Sequence, residues 1–163
     1  MGKNDNGSIY YDINEISDDF FHAIGMVTVS FANLELKLSL FCGAHIGSTT
    51  PIVNQIITSE LSFKQLINIS IAIYKEVQLD EEKVNEFLNL SKDLFTLEQR
   101  RNSIIHSNYG ALNNYVVRQK TSSKGKKGFK MQQEDLTPEA LIEFVCNIES
   151  ASSKIGIILF EIS

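Results

Sequence analysis

Three side chains past the middle of the chain have the types that phosphodiester chemistry uses. Arg101, Asn102 and His106 lie within six positions of one another. An arginine stays ionised at physiological pH, and its planar guanidinium matches the shape of a phosphate. A histidine is the side chain best suited to move a proton near neutrality. A fixed positive charge beside a titratable base therefore predicts a site that can bind and cleave a phosphodiester.

The spacing places these residues at the end of a helix. A segment of apolar periodicity precedes them and Gly110 follows, which is typical of a helix that runs into a loop. Asn102 and His106 are four positions apart and share a helix face, so the amide can orient the imidazole. Arg101 is about 140° from His106 around the axis, an angle that a long side chain can bridge. The alternative is that His106 only caps the helix end and Arg101 is a solvated charge.

The run from Arg101 to His106 resembles the signature of the HEPN superfamily, which is an arginine, a polar residue, a few mainly apolar positions and a histidine. Asn102 stands at the polar position and two isoleucines fill the apolar ones. The run 31–38 also resembles the Phe/Leu-Glu-Leu pattern that precedes the motif in several HEPN groups. The likeness covers most of the chain as an architecture and two short stretches as sequence.

The resemblance implies a metal-independent endoribonuclease, without a cofactor, that dimerises so that two copies of the motif meet in one cleft. It implies that His106 takes the proton from a ribose 2′-hydroxyl and that Arg101 binds the scissile phosphate. Asn102 would hold the histidine or a phosphate oxygen. The products would carry a 2′,3′-cyclic phosphate and a 5′-hydroxyl. Proteins of this kind act as toxins or phage-defence effectors, which implies an antitoxin or another defence protein as partner.

The sequence departs from one HEPN toxin group, which carries a modified tyrosine two residues after the histidine. Here that position is Asn108 and the tyrosine follows at Tyr109. The control by modification is therefore not carried over, and Tyr109 is kept as a neighbour of the site or as a packing residue. Two other functions stay open: a non-catalytic HEPN-like module that binds a nucleotide or a protein, and a plain helical assembly module.

Glu35 and Arg100 are two further charged residues that could support the site. Glu35 lies beside the apolar stripe of the first helix, where a carboxylate either faces solvent or is buried and paired, because an unpaired buried charge is very costly. If it is paired, it would reach Arg100 or Arg101 and fix a guanidinium.

The only basic run lies between the last two long helices, and its residues are Arg118, Lys120, Lys124, Lys126, Lys127 and Lys130. The run is either a solvated loop tip that keeps a sheet edge soluble, or a surface for RNA phosphates with Tyr115 and Phe129 near enough to stack on bases. The 163-residue chain has a formal net charge of -5, which excludes a general coat for nucleic acid. Any RNA contact needs a local patch such as this one.

The apolar periodicity predicts an all-α fold, an up-and-down four-helix bundle in one domain over residues 1–163. Long helices are expected to start at Ser17, Phe63, Asp80 and Thr137, with a short helix over 52–58. Residues 1–16 are predicted to be a loose leader, and residues 109–134 a β-hairpin or a basic loop between the last two helices.

The sequence favours neither a metal nor a membrane. Cys42 and Cys146 lack metal-ligand spacing, and His22 and His45 do not form a metal pair. The start is polar, and the apolar runs are judged too short to span a bilayer. We therefore expect a cytoplasmic protein with no metal, no cofactor and no membrane contact.

Overall fold

Five α-helices account for most of the residues that the structure describes. The structure, a computed structural model, describes residues 13–46, 50–112, 115–123 and 129–160. The helices are α1 (Asp18–His45), α2 (Pro51–Ser59), α3 (Phe63–Val77), α4 (Glu81–Ile105) and α5 (Pro138–Phe160), and a 3-10 turn, Ile13–Glu15, precedes α1. The predicted helical class is confirmed, and the predicted helix starts agree with the observed ones to within one residue. Residues 1–12 of the predicted leader lie outside the described residues.

Polar side chains define where the helices start. Ser17, Ser62, Asp80 and Thr137 each accept a hydrogen bond from a backbone N–H two or three residues further along the chain. Ser62 forms a capping box with Gln65, whose side-chain oxygen accepts from the Ser62 backbone N–H at 2.8 Å. A cap of this kind contributes about 1 kcal/mol to stability. The starts are therefore set by local chemistry, which explains why the sequence predicts them well.

Three strands follow α4 and form an antiparallel sheet in the order β1-β2-β3. They are β1 (Asn108–Leu112), β2 (Tyr115–Ser123) and β3 (Phe129–Asp135). The sequence predicts at most two strands here. Gly110 is typical of a helix end, so no strand is predicted around it. The structure adds a third strand because β1 pairs with β2 along its whole length. The predicted lysines at positions 124, 126 and 127 lie outside the described residues.

The chain divides into two compact units. The motif unit consists of residues 1–28 and 101–145, and the helical unit of residues 29–100 and 146–163. The sequence predicts a single domain, and the division into two compact units does not test that prediction. The core of the motif unit is formed by buried Ile16, Phe20, Ala23, Val27, Ile104, Leu136, Leu141, Phe144 and Val145.

The helical unit has its own, larger apolar core. Two aromatic pairs mark it: Phe31 with Phe63, and Tyr74 with Phe87, each with ring centroids 4.6 Å apart. Such pairs add about 0.5–1.5 kcal/mol beyond the area that they bury. The other large buried side chains are Leu34, Leu38, Phe41, Leu66, Ile67, Leu90, Leu94, Ile148, Ile155 and Leu159.

Helix α1 is apolar on more than its buried side. Its 28 residues, with a mean hydropathy of 1.3 over an 18-residue window, would allow it to cross a membrane by length and composition. The sequence predicts apolar runs that are broken by polar residues and too short to span a bilayer, whereas the helix as a whole meets the criterion with Glu35 and Lys37 within it. The core helices of soluble proteins meet the same criterion, so α1 alone does not indicate a membrane location. Its hydropathy is high because leucines lie on its exposed side (Leu36 and Leu40) as well as in the core (Leu34 and Leu38).

Candidate functional site

The motif occupies the last turn of α4 and the residue after it. Helix α4 ends at Ile105, and the backbone N–H of His106 still donates to the carbonyl oxygen of Asn102 at 3.1 Å. Ile104 is 1 % exposed and anchors this turn in the core of the motif unit. Arg101 and Asn102 are half-buried, whereas His106 is exposed. The helix end thus places a partly shielded cation and an accessible imidazole within one and a half turns of each other.

The guanidinium of Arg101 is held by its neighbour. Its Nη1 donates to Oδ1 of Asn102 at 2.9 Å. The sequence placed the amide where it could orient the imidazole of His106, but in the structure the amide oxygen binds the arginine. An ionised donor forms the stronger hydrogen bond, and an arginine is long enough to fold back onto the next residue. Asn102 therefore positions the cation of the motif rather than its base.

His106 is available for proton transfer. Its ring is exposed, and no hydrogen bond of the ring is found within the part of the chain that the structure describes. A histidine whose ring nitrogens are not engaged can accept or donate a proton once a substrate lies within reach. The imidazole can therefore act as a base toward a substrate. Contacts with that substrate would have to fix the orientation of the ring.

Tyr109 fixes the segment that leaves the motif. Its hydroxyl donates at 2.7 Å to the carbonyl oxygen of Ile104 at the end of α4, which also accepts from the backbone N–H of Ser107 at 3.4 Å. Its ring meets the buried ring of Phe20 edge-on, with centroids 5.3 Å apart. The Ser107 hydroxyl satisfies a second carbonyl of this turn, that of Ser103. Tyr109 is thus a packing and capping residue that holds the turn under His106.

Two predicted supporting residues, Glu35 and Arg100, belong to the helical unit. Glu35 is half-buried on α1, and Arg100 is exposed on α4. Among the described residues, no hydrogen bond or ion pair engages the Glu35 carboxylate. The anchoring of an arginine by Glu35, which the sequence suggested, therefore finds no support there.

Part of the predicted basic run lies in the sheet. Arg118 and Lys120 are in β2 and Lys130 is in β3. The register pairs Arg118 with Tyr109, and Ser122 with Lys130. Because alternate positions of a strand share a face, positions 118, 120 and 130 all fall on the face that contains position 109. This face connects three basic positions with the tyrosine that holds the motif turn.

The predicted stacking aromatics do not share that face. Position 115 pairs with position 112, and position 129 pairs with position 123. By the same alternation both belong to the opposite face of the sheet. The register thus does not support the predicted combination of Tyr115 and Phe129 with the basic positions 118, 120 and 130 as one surface for bases and phosphates.

The described residues include no group of three or more His, Cys, Asp or Glu side chains that could hold a metal ion. Cys42 is buried, and its Sγ lies 3.3 Å from Oγ of Ser70. Burial raises the pKa of the Cys42 thiol, which lowers its thiolate fraction and makes it a poor nucleophile. Cys146 is exposed, without a described partner that would activate it.

The sequence did not predict one feature of the helical unit. A groove between α1 and α2 is lined mainly by apolar side chains, and large aliphatic residues are exposed around it. The signal that could have revealed it is the alternation Leu34-Glu35-Leu36-Lys37-Leu38-Ser39-Leu40, which puts leucines on both sides of one helix.

Comparison of the chain with protein families, with curated proteins and with solved structures found no match.

Proposed function

We propose that this chain is a metal-independent endoribonuclease of the HEPN type. The observation that carries the proposal is the Arg101–Asn102 pair, held at 2.9 Å, with the exposed His106 four positions beyond the asparagine on the same helix end. A held positive charge beside an accessible base is what cleavage of a phosphodiester by an internal hydroxyl requires. In the proposed architecture the four long helices form an up-and-down bundle, and β2 and β3 form a hairpin between α4 and α5.

In the proposed reaction His106 takes the proton from a ribose 2′-hydroxyl. The 2′-oxygen then forms a bond to phosphorus, the bond from phosphorus to the 5′-oxygen breaks, and water protonates the leaving oxygen. The products are a 2′,3′-cyclic phosphate and a 5′-hydroxyl. Arg101, oriented by Asn102, binds the phosphate and stabilises the charge that grows on it. A positioned base contributes on the order of 10²–10⁴-fold, and one such electrostatic contact roughly 3 kcal/mol.

The proposed enzyme is a homodimer in which two copies of the motif face one cleft. A second copy would supply another guanidinium and another imidazole, so one could hold the phosphate while the other moves the proton. We propose a cytoplasmic toxin or phage-defence effector, since the HEPN resemblance implies that setting, with an antitoxin or another defence protein as partner. Neighbouring genes would identify that partner.

The test measures cleavage of end-labelled RNA by the purified chain. The buffer contains a chelator, so that contaminating metal-dependent nucleases are inactive. We expect the wild type to leave 2′,3′-cyclic phosphate ends and the His106→Ala variant to be 10²–10⁴-fold slower. His22→Ala, which removes another exposed histidine of the motif unit, is the matched control and should keep full activity. No cleavage by the wild type on any RNA, or equal cleavage by His106→Ala, would replace this proposal with the non-catalytic module that binds a nucleotide or a protein.

A second experiment tests the basic run. Changing Lys124, Lys126 and Lys127 together to alanine removes three positive charges from it. If each binds one RNA phosphate, the slope of log affinity against log salt should fall by about 2 for single-stranded RNA. Changing Lys64, Lys75 and Lys154 instead removes the same charge from exposed positions of the helical unit. Equal slopes for the two triple variants would make the run a solvated loop tip.

A further inference from the structure

The groove of the helical unit lies between α1 and α2 and has a volume of about 620 Å³, within the range of small binding pockets. The two helices are in contact at its floor, where a Cβ added at Gly43 would lie at an ordinary van der Waals distance of 3.4 Å from Cβ of Asn54 on α2. The apolar residues that line the groove include Ala32, Leu36, Leu40, Ala44, Leu61 and Leu66.

The aliphatic surface continues beyond the groove along both helices. On α1, Val29, Leu36 and Leu40 are between 50 and 63 % exposed, and on α2, Ile52 and Ile56 are at least 60 % exposed. At 100° per residue, positions 29, 36 and 40 fall within about 40° of each other, and they span roughly 16 Å of helix. An exposed apolar strip of this kind marks an interaction surface. Its length corresponds to about three turns of a partner helix.

Two oxygen acceptors interrupt the apolar lining. Oδ1 of Asn54 is buried without a hydrogen-bond partner. The Glu35 carboxylate also lines the groove and has no partner among the described residues. The Ser39 hydroxyl, by contrast, donates to the Thr58 hydroxyl at 2.8 Å, and the Thr58 hydroxyl donates to the carbonyl oxygen of Asn54 at 3.0 Å. No lysine, arginine or histidine is among the described residues that line the groove. A ligand with a positively charged donor could therefore pair with the Glu35 carboxylate and satisfy the buried acceptor, which is costly to leave without a hydrogen bond.

A second copy of this chain cannot supply a positive charge from the same groove. A two-fold contact sets identical patches against each other. No lysine or arginine is among the described residues that line the groove, and the Nζ of Lys37 on α1 already donates to the carbonyl oxygen of Ser152 at 3.0 Å. Such a contact would bring two Glu35 carboxylates to the interface without a cation for either.

We propose that this groove binds an amphipathic, cationic helix of a partner protein. Leucine-like side chains at positions i, i+3 or i+4, and i+7 of that helix fill the groove between α1 and α2. A lysine or arginine beside them donates to the Glu35 carboxylate and to Oδ1 of Asn54. This site is independent of the proposed ribonuclease activity, and its partner is defined by an apolar stripe flanked by positive charge.

The test uses the full chain and two synthetic helical peptides of roughly 15 residues, which is about four turns. Both carry the same leucine stripe, but one has lysines and the other glutamates at the flanking positions. We expect the lysine peptide to bind at least tenfold more tightly than the glutamate peptide, measured by fluorescence anisotropy. Leu40→Asp should weaken its binding at least tenfold, and Glu35→Gln should remove most of the difference between the peptides. Ile157→Asp, at a residue equally exposed on α5, is the control and should bind like wild type.

Three results would overturn the proposal: no binding of either peptide, equal binding of both, or full binding by Leu40→Asp. Because Leu40 is 63 % exposed, its substitution should leave the unfolding temperature unchanged, and circular dichroism verifies this. A wild type that dimerises in sedimentation while Leu40→Asp stays monomeric would assign the groove to a second copy. RNA cleavage by these variants should equal that of the wild type, which separates this site from the proposed active site.

Discussion

The motif unit and the helical unit differ in the contacts of their polar side chains. In the motif unit Nη1 of Arg101 donates to Oδ1 of Asn102, and the Tyr109 hydroxyl donates to the carbonyl oxygen of Ile104. In the groove of the helical unit, Oδ1 of Asn54 is buried without a partner, and the Glu35 carboxylate has none among the described residues. In the proposed ribonuclease the first arrangement holds Arg101 in place before a substrate arrives. The second would be completed by the cationic helix that we propose as a ligand.

The largest effect expected in this comparison comes from the two cores. Ile104→Ala and Phe31→Ala each empty a position that is 1 % exposed, the first in the motif unit and the second in the helical unit. We expect losses in the free energy of unfolding of about 2–5 and 3–5 kcal/mol respectively. Only Ile104→Ala should also lower the cleavage rate per folded molecule, because Ile104 anchors the turn of Arg101 and His106.

Urea unfolding followed by circular dichroism measures the first quantity, and single-turnover cleavage of RNA, corrected for the folded fraction, measures the second. A variant that keeps the aliphatic character, Ile104→Val, should cost only about 0.5–1.5 kcal/mol and restore most of the rate. If Phe31→Ala lowered the corrected rate as much as Ile104→Ala, the cleavage rate would not depend specifically on the packing of the motif turn.

A smaller effect is expected from Tyr109→Phe. The substitution keeps the ring against Phe20 and removes the hydrogen bond to the carbonyl of Ile104. We expect a loss of about 1 kcal/mol in stability, with a higher mobility of the His106 turn in amide hydrogen exchange. Tyr74→Phe in the helical unit, where the ring packs on Phe87, is the matched control. An equal loss in both variants would mean that the Tyr109 hydroxyl is not specifically stabilising.

The helices were predictable because their signals are local. Apolar periodicity gave their extent, and caps such as Ser17 and Thr137 gave their starts within one residue. Strand β1 was not predicted because its pairing with β2 depends on residues several positions away and because Gly110 reads as a helix stop. A strand of five residues also leaves too short a pattern to recognise.

The candidate site was predictable in its residue types but not in its contacts. Helical spacing puts Asn102 and His106 on one face, yet it does not choose a rotamer, and the charge-assisted bond to Arg101 engages the amide. The groove could not be predicted either, because it depends on how α2 packs against α1, and the pattern of either helix alone does not show that. Periodicity identifies an apolar face without saying whether another element of the same chain covers it.

The smallest effect is expected from one carboxylate in each unit, that of Glu139 in the motif unit and that of Glu35 in the helical unit. Glu139 lies in the first turn of α5, in the motif unit. Its own backbone N–H lowers the pKa of the Glu139 carboxyl, and the Thr137 hydroxyl lowers it further. Because the pKa in the folded state lies below that in the unfolded state, the stabilisation is present above the unfolded pKa and disappears as the pH falls through the folded pKa.

Glu139→Gln should therefore lower the unfolding temperature slightly at neutral pH and have no effect below the folded-state pKa, where the wild-type carboxylate is protonated in both states. The effect should be smaller than that of Tyr109→Phe because the Glu139 carboxylate is fully exposed to water. Glu35→Gln is the matched substitution in the helical unit and should leave the unfolding temperature unchanged at both pH values, since its carboxylate has no partner among the described residues to lose. A loss for Glu35→Gln at neutral pH would mean that a group within the chain already binds this carboxylate, and the groove would then have no need of a cationic partner.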